Sequence, residues 1–446
     1  MRMANHVLID FGDRIYHGIT GFVTRWKTSD TARSITVVYV GDMLSKVLAV
    51  ATTLLLIRGL TTSDYASYVA FIGVGSLVVA LVGGGINFAL VRFSAEYYSR
   101  TNQKPYLLNL FSVLFQIAVF AMILVVVAFL PDQTANTILG STEHASIIMT
   151  AMFWGLGSLL IETGRSMLQA LERYRRYVFI LWITNLGSLL IVSGLWFSGR
   201  LEFSSVARGL SILYILIGIW VVGNGFYGIT QTNGRSWAAR FQADKGLVRE
   251  FLLATSWLMG YAITLAAFSR TDILMLSRYA PRSELAIYGV ALQYYSLGIL
   301  LLGSIQAVLR TKFSKADMQD TDRQQDFLRK WLQISVWTGI PILVFMLFGK
   351  PLFVFLNGEE YEGAFLVLAI LAVGLWLSFM FSPLANILIG RKDFKFLFGL
   401  SLVAFAFNLV ANYVGIHMWG AVGAALVLVL THNVVLQGPI FLRIRL

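Results

Sequence analysis

The chain has 446 residues, of which 57% are hydrophobic and 13% are charged. Soluble globular proteins carry about 25% charged residues, so this composition excludes an ordinary soluble fold and predicts a surface covered mostly by lipid. The net charge of +12 would suggest nucleic-acid binding in a soluble protein. In a membrane protein the basic residues instead indicate which loops face the cytoplasm, and we expect no nucleic-acid partner. The absence of cysteine excludes disulfides, thiolate catalysis and cysteine-ligated metals.

Apolar stretches long enough to cross a hydrocarbon core of about 30 Å recur from residue 36 to the C-terminus. Before them, residues 1–35 form a predicted cytoplasmic segment, in which apolar residues from Val7 to Trp26 recur at helical spacing and indicate an amphipathic interfacial helix. This segment lacks the apolar core of a cleavable signal peptide. Twelve helical spans are predicted: 36–57, 65–91, 105–130, 145–170, 177–197, 207–230, 251–276, 285–309, 331–349, 363–390, 395–416 and 418–441.

The basic residues lie unevenly about these spans. Of the 35, 26 fall in the N-terminal segment, the even-numbered loops and the C-terminus, whereas six fall on the opposite side, which is called the outer side below. Because basic residues accumulate in cytoplasmic segments, both termini are predicted to be cytoplasmic.

The chain is predicted to contain an internal repeat. With an offset of 220 residues, 12 of the 41 positions in 54–94 are identical to their counterparts, including Arg58 with Arg278 and Ser63 with Ser283. The offset aligns the first span with the seventh, so each half holds six spans in the same orientation. We therefore predict two parallel six-helix lobes around a central cleft, related by a pseudo-two-fold axis along the membrane normal. The N-lobe covers 36–230, a cytoplasmic linker 231–250, and the C-lobe 251–446.

Charged residues inside spans are costly and therefore mark candidate functional positions. Three spans each carry two such residues. In the first span they are four residues apart and in the fourth three apart, so the two charges share a helix face and can neutralise each other. In the seventh span they are two residues apart, point to different sides of the helix and must find separate partners. For the first two pairs a structural ion pair and a cavity role remain open alternatives. The three pairs are Asp42 with Lys46, Glu162 with Arg165, and Arg270 with Asp272.

Two further arginines, Arg58 and Arg278, end the first and seventh spans on the outer side. Snorkelling to the membrane interface is one explanation of their position, and their symmetry favours a functional one. No histidine spacing suited to a metal and no phosphate-binding glycine loop is present, so we expect no cofactor and no enzyme.

The sequence from Leu56 to Tyr68, followed by the glycine-rich second span and Arg92-Phe93-Ser94, resembles polysaccharide-type flippases of the multidrug/oligosaccharidyl-lipid/polysaccharide (MOP) exporter superfamily. The segment Asn357-Gly358-Glu359-Glu360-Tyr361, the long apolar span with Pro383, and Gly390-Arg391-Lys392 resemble a later region of the same proteins. The resemblance implies a MATE-like all-α membrane fold. It also implies translocation of polyprenyl-pyrophosphate-linked oligosaccharide units across the bacterial inner membrane for O-antigen or exopolysaccharide synthesis.

The resemblance also suggests roles for the charged residues. On this hypothesis Arg270, Lys46 and Arg165 bind the pyrophosphate or acidic sugars, and Arg58 and Arg278 guard the outer opening. The carboxylates Asp42, Asp272 and Glu162 are candidates for coupling to a proton or sodium gradient. Expected partners are the lipid-linked oligosaccharide, membrane lipids, and the polymerase and export proteins of the polysaccharide.

Two alternatives remain open at this stage. A cation-coupled multidrug exporter of the same superfamily would share the architecture but carry a different substrate. A membrane enzyme of glycan assembly is disfavoured, because the outer loops are short and offer no extramembrane region to house catalysis.

Overall fold

The computed structural model describes residues 30–101, 105–226, 256–313, 321–390 and 393–445. Every regular element in these ranges is helical. Val7 to Trp26, which form the predicted interfacial helix, and the predicted linker 231–250 lie outside the described residues. An all-helical membrane fold is therefore confirmed for the part of the chain that is described.

The helices of the first half follow the predicted spans closely. A short π-helical segment, Ala80–Gly84, joins the two parts of the second span, and a short helix, α5, lies on the outer side. The helices are α1 (Asp30–Gly59), α2 (Thr62–Val79), α3 (Gly85–Thr101), α4 (Tyr106–Phe129), α5 (Pro131–Leu139), α6 (Ala145–Ala170), α7 (Tyr174–Phe197) and α8 (Phe203–Phe226).

The second half repeats this order with more interruptions. Thr338 and Phe381 interrupt the predicted ninth and tenth spans, and Gly420, with φ 55° and ψ −128°, breaks the long helix α16. The helices are α9 (Ser256–Tyr279), α10 (Arg282–Phe313), α11 (Thr321–Trp337), α12 (Gly339–Phe348), α13 (Lys350–Asn357), α14 (Ala364–Met380), α15 (Ser382–Gly390), α16 (Phe394–Leu430) and α17 (Gln437–Arg445).

Corresponding helix ends in the two halves lie 220 residues apart. The ends of α1 and α9, the starts of α2 and α10, the ends of α6 and α15, and the starts of α7 and α16 all follow this offset. The packing repeats as well, since α1 lies on α7 as α9 lies on α16, and α2 lies on α6 as α10 lies on α14. Val69 on α2 and its counterpart Gly289 on α10 contact one another directly, which places the pseudo-two-fold axis between these two helices.

The described helices include eight that are long and apolar enough to span a membrane, and nine when the bent pair α14 and α15 is included. The last of the eight, Lys395–Ile444, has 50 residues. A helix of that length would measure about 75 Å, more than twice the hydrocarbon thickness, so the break at Gly420 divides it into the two segments predicted from the sequence. The predicted total of twelve spans stays a prediction.

Glycines allow the helices to approach closely inside each half. A Cβ atom at Gly157 of α6 would lie 2.5 Å from the amide nitrogen of Ile215 on α8, and one at Gly218 would lie 2.8 Å from the Gly157 carbonyl oxygen. Small residues serve this purpose in membrane helices because close packing replaces the hydrophobic driving force that lipid does not supply. These contacts hold α6, which carries two of the candidate charges, against α8.

We predict that Gly157→Ala destabilises the protein by about 1–3 kcal/mol, because the added methyl group meets rigid backbone. Gly194→Ala on α7 is the matched control, since nothing lies within 4 Å of its Cβ position. The control should leave stability unchanged or raise it slightly through helix propensity. Thermal unfolding in detergent compares the two variants, and an equal melting temperature would contradict the packing assignment.

Candidate functional site

Helix α1 carries Asp42 and Lys46 one turn apart on the same face. Its neighbouring face is fixed to α7, because the indole Nε1 of Trp182 donates to the Gly41 carbonyl at 2.9 Å and the Asn185 amide donates to the Ser45 hydroxyl at 2.6 Å. Asp42 and Lys46 lie beside this packed face and are partly exposed. The charge of Lys46 interacts both with Asp42 and with Arg165 of α6.

Helix α6 presents Glu162 and Arg165 to the same region. Arg165 donates from Nη2 to the Tyr177 hydroxyl at 2.5 Å, and its guanidinium carbon lies 4.3 Å from the centre of the Tyr177 ring. The Arg165 Nε atom has no hydrogen-bond partner in the described part of the chain. Glu162 is exposed as a residue, and its charge interacts with Arg165 and with Arg270 from the other half of the chain.

Helix α9 carries Arg270 and Asp272 on different faces. Arg270 is partly exposed and interacts electrostatically with Glu162 as well as with Asp272. Asp272 is only 2% exposed, accepts a hydrogen bond from the Tyr288 hydroxyl of α10, and accepts a second from the Ile273 amide at 2.8 Å. The spacing of two residues therefore turns Arg270 towards α6 and Asp272 into the packing against α10.

None of the six intramembrane charges forms a direct ion pair with another within the described residues. The ion pairs found there are Lys330 with Asp326, Lys350 with Glu362, and Arg443 with Asp393. The charges of α1, α6 and α9 instead act on one another over longer distances, across both halves of the chain. Such an open arrangement leaves guanidinium, ammonium and carboxylate groups able to bind an ionic ligand, because a direct ion pair would occupy the same donors and acceptors.

The structure places Arg58 and Arg278 away from this cluster, at the outer ends of α1 and α9. Arg58 donates to the backbone carbonyls of Phe355 and Leu356 in α13, and Arg278 donates to the carbonyl of Asn136 in α5 at 3.1 Å. In this conformation their guanidinium groups are therefore held by protein, whereas Lys46, Arg165 and Arg270 belong to the separate group of charges on α1, α6 and α9.

Two tyrosines that sequence reasoning did not identify complete the site. The Tyr177 hydroxyl accepts a hydrogen bond from Arg165 and orients it, and the Tyr288 hydroxyl donates one to the carboxylate of Asp272. Tyr288 lies 16 residues beyond Asp272 on the next helix, and no sequence pattern marks either tyrosine as a partner of a charge.

Replacing Tyr288 should reveal how Asp272 is held. We predict that Tyr288→Phe destabilises the protein by about 1–3 kcal/mol, because the buried carboxylate loses a hydrogen bond. Tyr295→Phe on the same helix is the control, since its hydroxyl has no hydrogen-bond partner among the described residues. Thermal unfolding measures both, and Asp272→Asn should reduce the effect of Tyr288→Phe if the two side chains act as a pair.

Two family models match the sequence. The model described as "Polysaccharide biosynthesis protein" matches residues 31–316, and the model described as "MatE" matches residues 258–414. No functionally curated protein matches the chain in sequence.

Solved structures share the fold at low sequence identity. An inward closed conformation of the lipid II flippase MurJ matches with a TM-score of 0.70 and 14% identity, over 92% of this chain and 87% of that one. An inward-facing multidrug resistance MATE family transporter of the MOP superfamily matches with a TM-score of 0.67 and 14% identity, over 90% and 94% of the two chains.

A MOP superfamily transporter from Pyrococcus furiosus also matches, with a TM-score of 0.63 and 12% identity, over 94% of this chain and 96% of that one. The fold predicted from the sequence is thus confirmed as that of MOP transporters. Because the first family model covers more than half of the sequence, the chain belongs to the polysaccharide biosynthesis protein family of the MOP exporter superfamily.

Proposed function

We propose that this membrane transporter is a flippase that moves polyprenyl-pyrophosphate-linked oligosaccharide units from the cytoplasmic to the outer leaflet of the bacterial inner membrane. The observation that carries the proposal is the meeting of Lys46, Arg165 and Arg270, from three helices and both halves of the chain, without a direct ion pair among the described residues. Three basic groups in one cleft can replace the hydration of a diphosphate.

The basic groups of the cleft suit the transport of a charged lipid-linked sugar. A pyrophosphate bearing sugars cannot cross hydrocarbon unaided, because an unpaired charge in a low-dielectric medium is very costly. The cleft supplies fixed cations for the diphosphate, and the polyprenyl tail can stay in the lipid outside. The family description, which concerns polysaccharide biosynthesis, supports a glycan-linked cargo.

Alternating access between the two lobes is the mechanism that we propose for this movement. With 26 of the 35 basic residues on one side, the proposed topology has both termini in the cytoplasm, so that the cargo enters where the basic loops lie. The polymerase and export proteins that would use the product remain expected partners.

The test is transport by Arg270→Ala. Loss of one charge-assisted contact to the diphosphate should lower transport about 10-fold to 100-fold. Arg329→Ala is the matched control, because Arg329 is exposed on α11 and has no hydrogen bond or ion pair in the described part of the chain. Two assays measure transport at matched expression: rescue of a flippase-deficient strain, and movement of a fluorescent lipid-linked oligosaccharide between the leaflets of proteoliposomes.

Full activity of Arg270→Ala would remove Arg270 from the binding site. Equal loss in Arg329→Ala would show that the change acts through general stability or insertion rather than through the cargo.

Energy coupling is assigned in this proposal to the accessible carboxylates. Glu162 is exposed and its charge acts on Arg165 and Arg270, so its protonation would change the charge of the cargo site. Asp42 acts on Lys46 in the same way, whereas Asp272 is already bonded by Tyr288.

We therefore predict that Glu162→Gln makes transport in proteoliposomes independent of an imposed proton or sodium gradient, while the wild type responds to one of them. Asp326→Asn, in an exposed ion pair with Lys330, serves as control and should keep the response. A full gradient response in Glu162→Gln would exclude Glu162 as the coupling group.

A second candidate is a cation-coupled multidrug exporter, which the MatE match over residues 258–414 and the acidic side chain of the exposed residue Glu162 favour. Organic cations would then bind to Glu162 and Asp42. Drug efflux by cells expressing the protein, together with failure to rescue a flippase-deficient strain, would support this candidate against the flippase.

A further inference from the structure

Two arginines join the lobes on the outer side in a reciprocal manner. Arg58 of the first half reaches the last carbonyls of α13 in the second half, and Arg278 of the second half reaches a late carbonyl of α5 in the first half. The donors differ by 220 residues, and so do the acceptors Asn136 and Leu356. The same contact is therefore made twice, once on each side of the pseudo-two-fold axis.

Each contact has a clear physical basis. The last four carbonyl groups of a helix have no partner within that helix, and the helix dipole gives this end a partial negative charge. Arg58 supplies a donor to the carbonyls of Phe355 and Leu356. Arg278 shares the Asn136 carbonyl with the Gly140 amide. Both guanidinium groups also neutralise the dipole. Because α5 and α13 are short helices of 9 and 8 residues, a large share of their carbonyls is of this kind.

Further contacts between the lobes surround the two arginines. The Thr62 hydroxyl donates to Glu360 at 2.9 Å, and Arg282 donates to the Ser63 hydroxyl at 2.6 Å. Arg282 also lies 2.7 Å from the Nε2 atom of His144. A cavity of about 20 Å³ beside Ser67, His144 and Arg282 holds only one or two water molecules, and the lobes are in direct contact around it.

We propose that Arg58 and Arg278 are the two latches of an outer gate, and that their release from α13 and α5 opens the cleft to the outer side. Each latch reaches the other lobe through hydrogen bonds to backbone carbonyls at an exposed position, so the contact can break and water can replace it. The gate does not depend on the identity of the cargo, and its failure would leave the proposed function untouched.

The inner half of α1 differs from this closed end. Met43, Leu44 and Val47 are all exposed there, with Val47 at 65%, whereas Leu56 and Ile57 beside Arg58 are buried. The inner half of α1 is held by α7 of its own lobe, whereas its hydrogen bonds to the other lobe are made by Arg58 at the outer end, where the latch lies.

Spin labels can report the gate directly, because the natural chain contains no cysteine. Asp132→Cys on α5 and Leu352→Cys on α13 provide two exposed, symmetry-related positions, one on each lobe. The distance between the labels, measured by pulsed electron paramagnetic resonance in nanodiscs without cargo, distinguishes the closed from the open outer side.

The latches should contribute separately. We expect Arg58→Ala and Arg278→Ala each to raise the population with a long distance about tenfold relative to the short one, and the double variant about a hundredfold. The matched control is Arg208→Ala, since Arg208 also lies on the outer side but, among the residues that the structure describes, donates only to Ser204 on its own helix. This control should keep the short distance.

An unchanged distance distribution in the single variants would overturn the proposal, as would an equal shift in Arg208→Ala. Arg58→Lys and Arg278→Lys keep the charge but lose the planar guanidinium, and they should give a smaller shift than alanine. These lysine variants and the single alanine variants decide the question where the double variant does not purify as folded protein.

Discussion

Charge within hydrocarbon is the constraint on which the rest of this structure depends. Six charged side chains on α1, α6 and α9 would each be costly in lipid, and the fold places them close enough to act on one another, with Asp272 also bonded by Tyr288 of α10. Four of them, on α1 and α6, come from the first half, and two, on α9, come from the second. A charged cleft therefore requires both lobes, and movement of one lobe against the other changes the environment of every group in it.

The duplication explains which contacts the two lobes share and which they do not. The helix ends, the packing of α1 and α9 and the arginine contacts all repeat with the same offset. The intramembrane charges do not repeat, since Arg270 and Asp272 correspond to Val50 and Thr52. The helix packing and the arginine contacts on the outer side are thus symmetric. The intramembrane charges are asymmetric, as suits a site that must recognise an asymmetric cargo.

Much of this frame could be predicted from the sequence. Apolar length gave most helix bounds to within a few residues, as for 145–170 and α6, because a span has a minimum length set by the bilayer. It missed the polar extensions, since α3 ends ten residues after the predicted second span and α11 begins ten residues before the predicted ninth. The repeat was visible because polar identities such as Arg58 with Arg278 survive where apolar matches are uninformative. The spacing of Arg270 and Asp272 also gave their different faces correctly.

Other parts of the site depend on packing between distant helices. Spacing alone could not show whether Asp42 bonds to Lys46, or Glu162 to Arg165. The answer depends on partners from other helices, such as Tyr177, which binds Arg165. The position of Arg58 on helix carbonyls had no sequence signal either, since any residue supplies a backbone carbonyl. The sequence identifies which charged groups are costly to place in the membrane. Only the fold shows which hydrogen bonds and neighbouring charges stabilise each of them.

The cleft and the outer gate lie on the same two helices, and this gives them a mechanical connection. Lys46 and Arg58 are 12 residues apart on α1, and Arg270 and Arg278 are 8 apart on α9, which corresponds to about 18 Å and about 12 Å along straight helices. A helix transmits a tilt along its length, because its backbone hydrogen bonds resist local bending. If an anionic cargo draws Lys46 and Arg270 together, the outer ends of α1 and α9 must turn against α13 and α5. The free energy of binding in the cleft is then available to release the arginines, so that the outer side opens only after the charges inside have been neutralised.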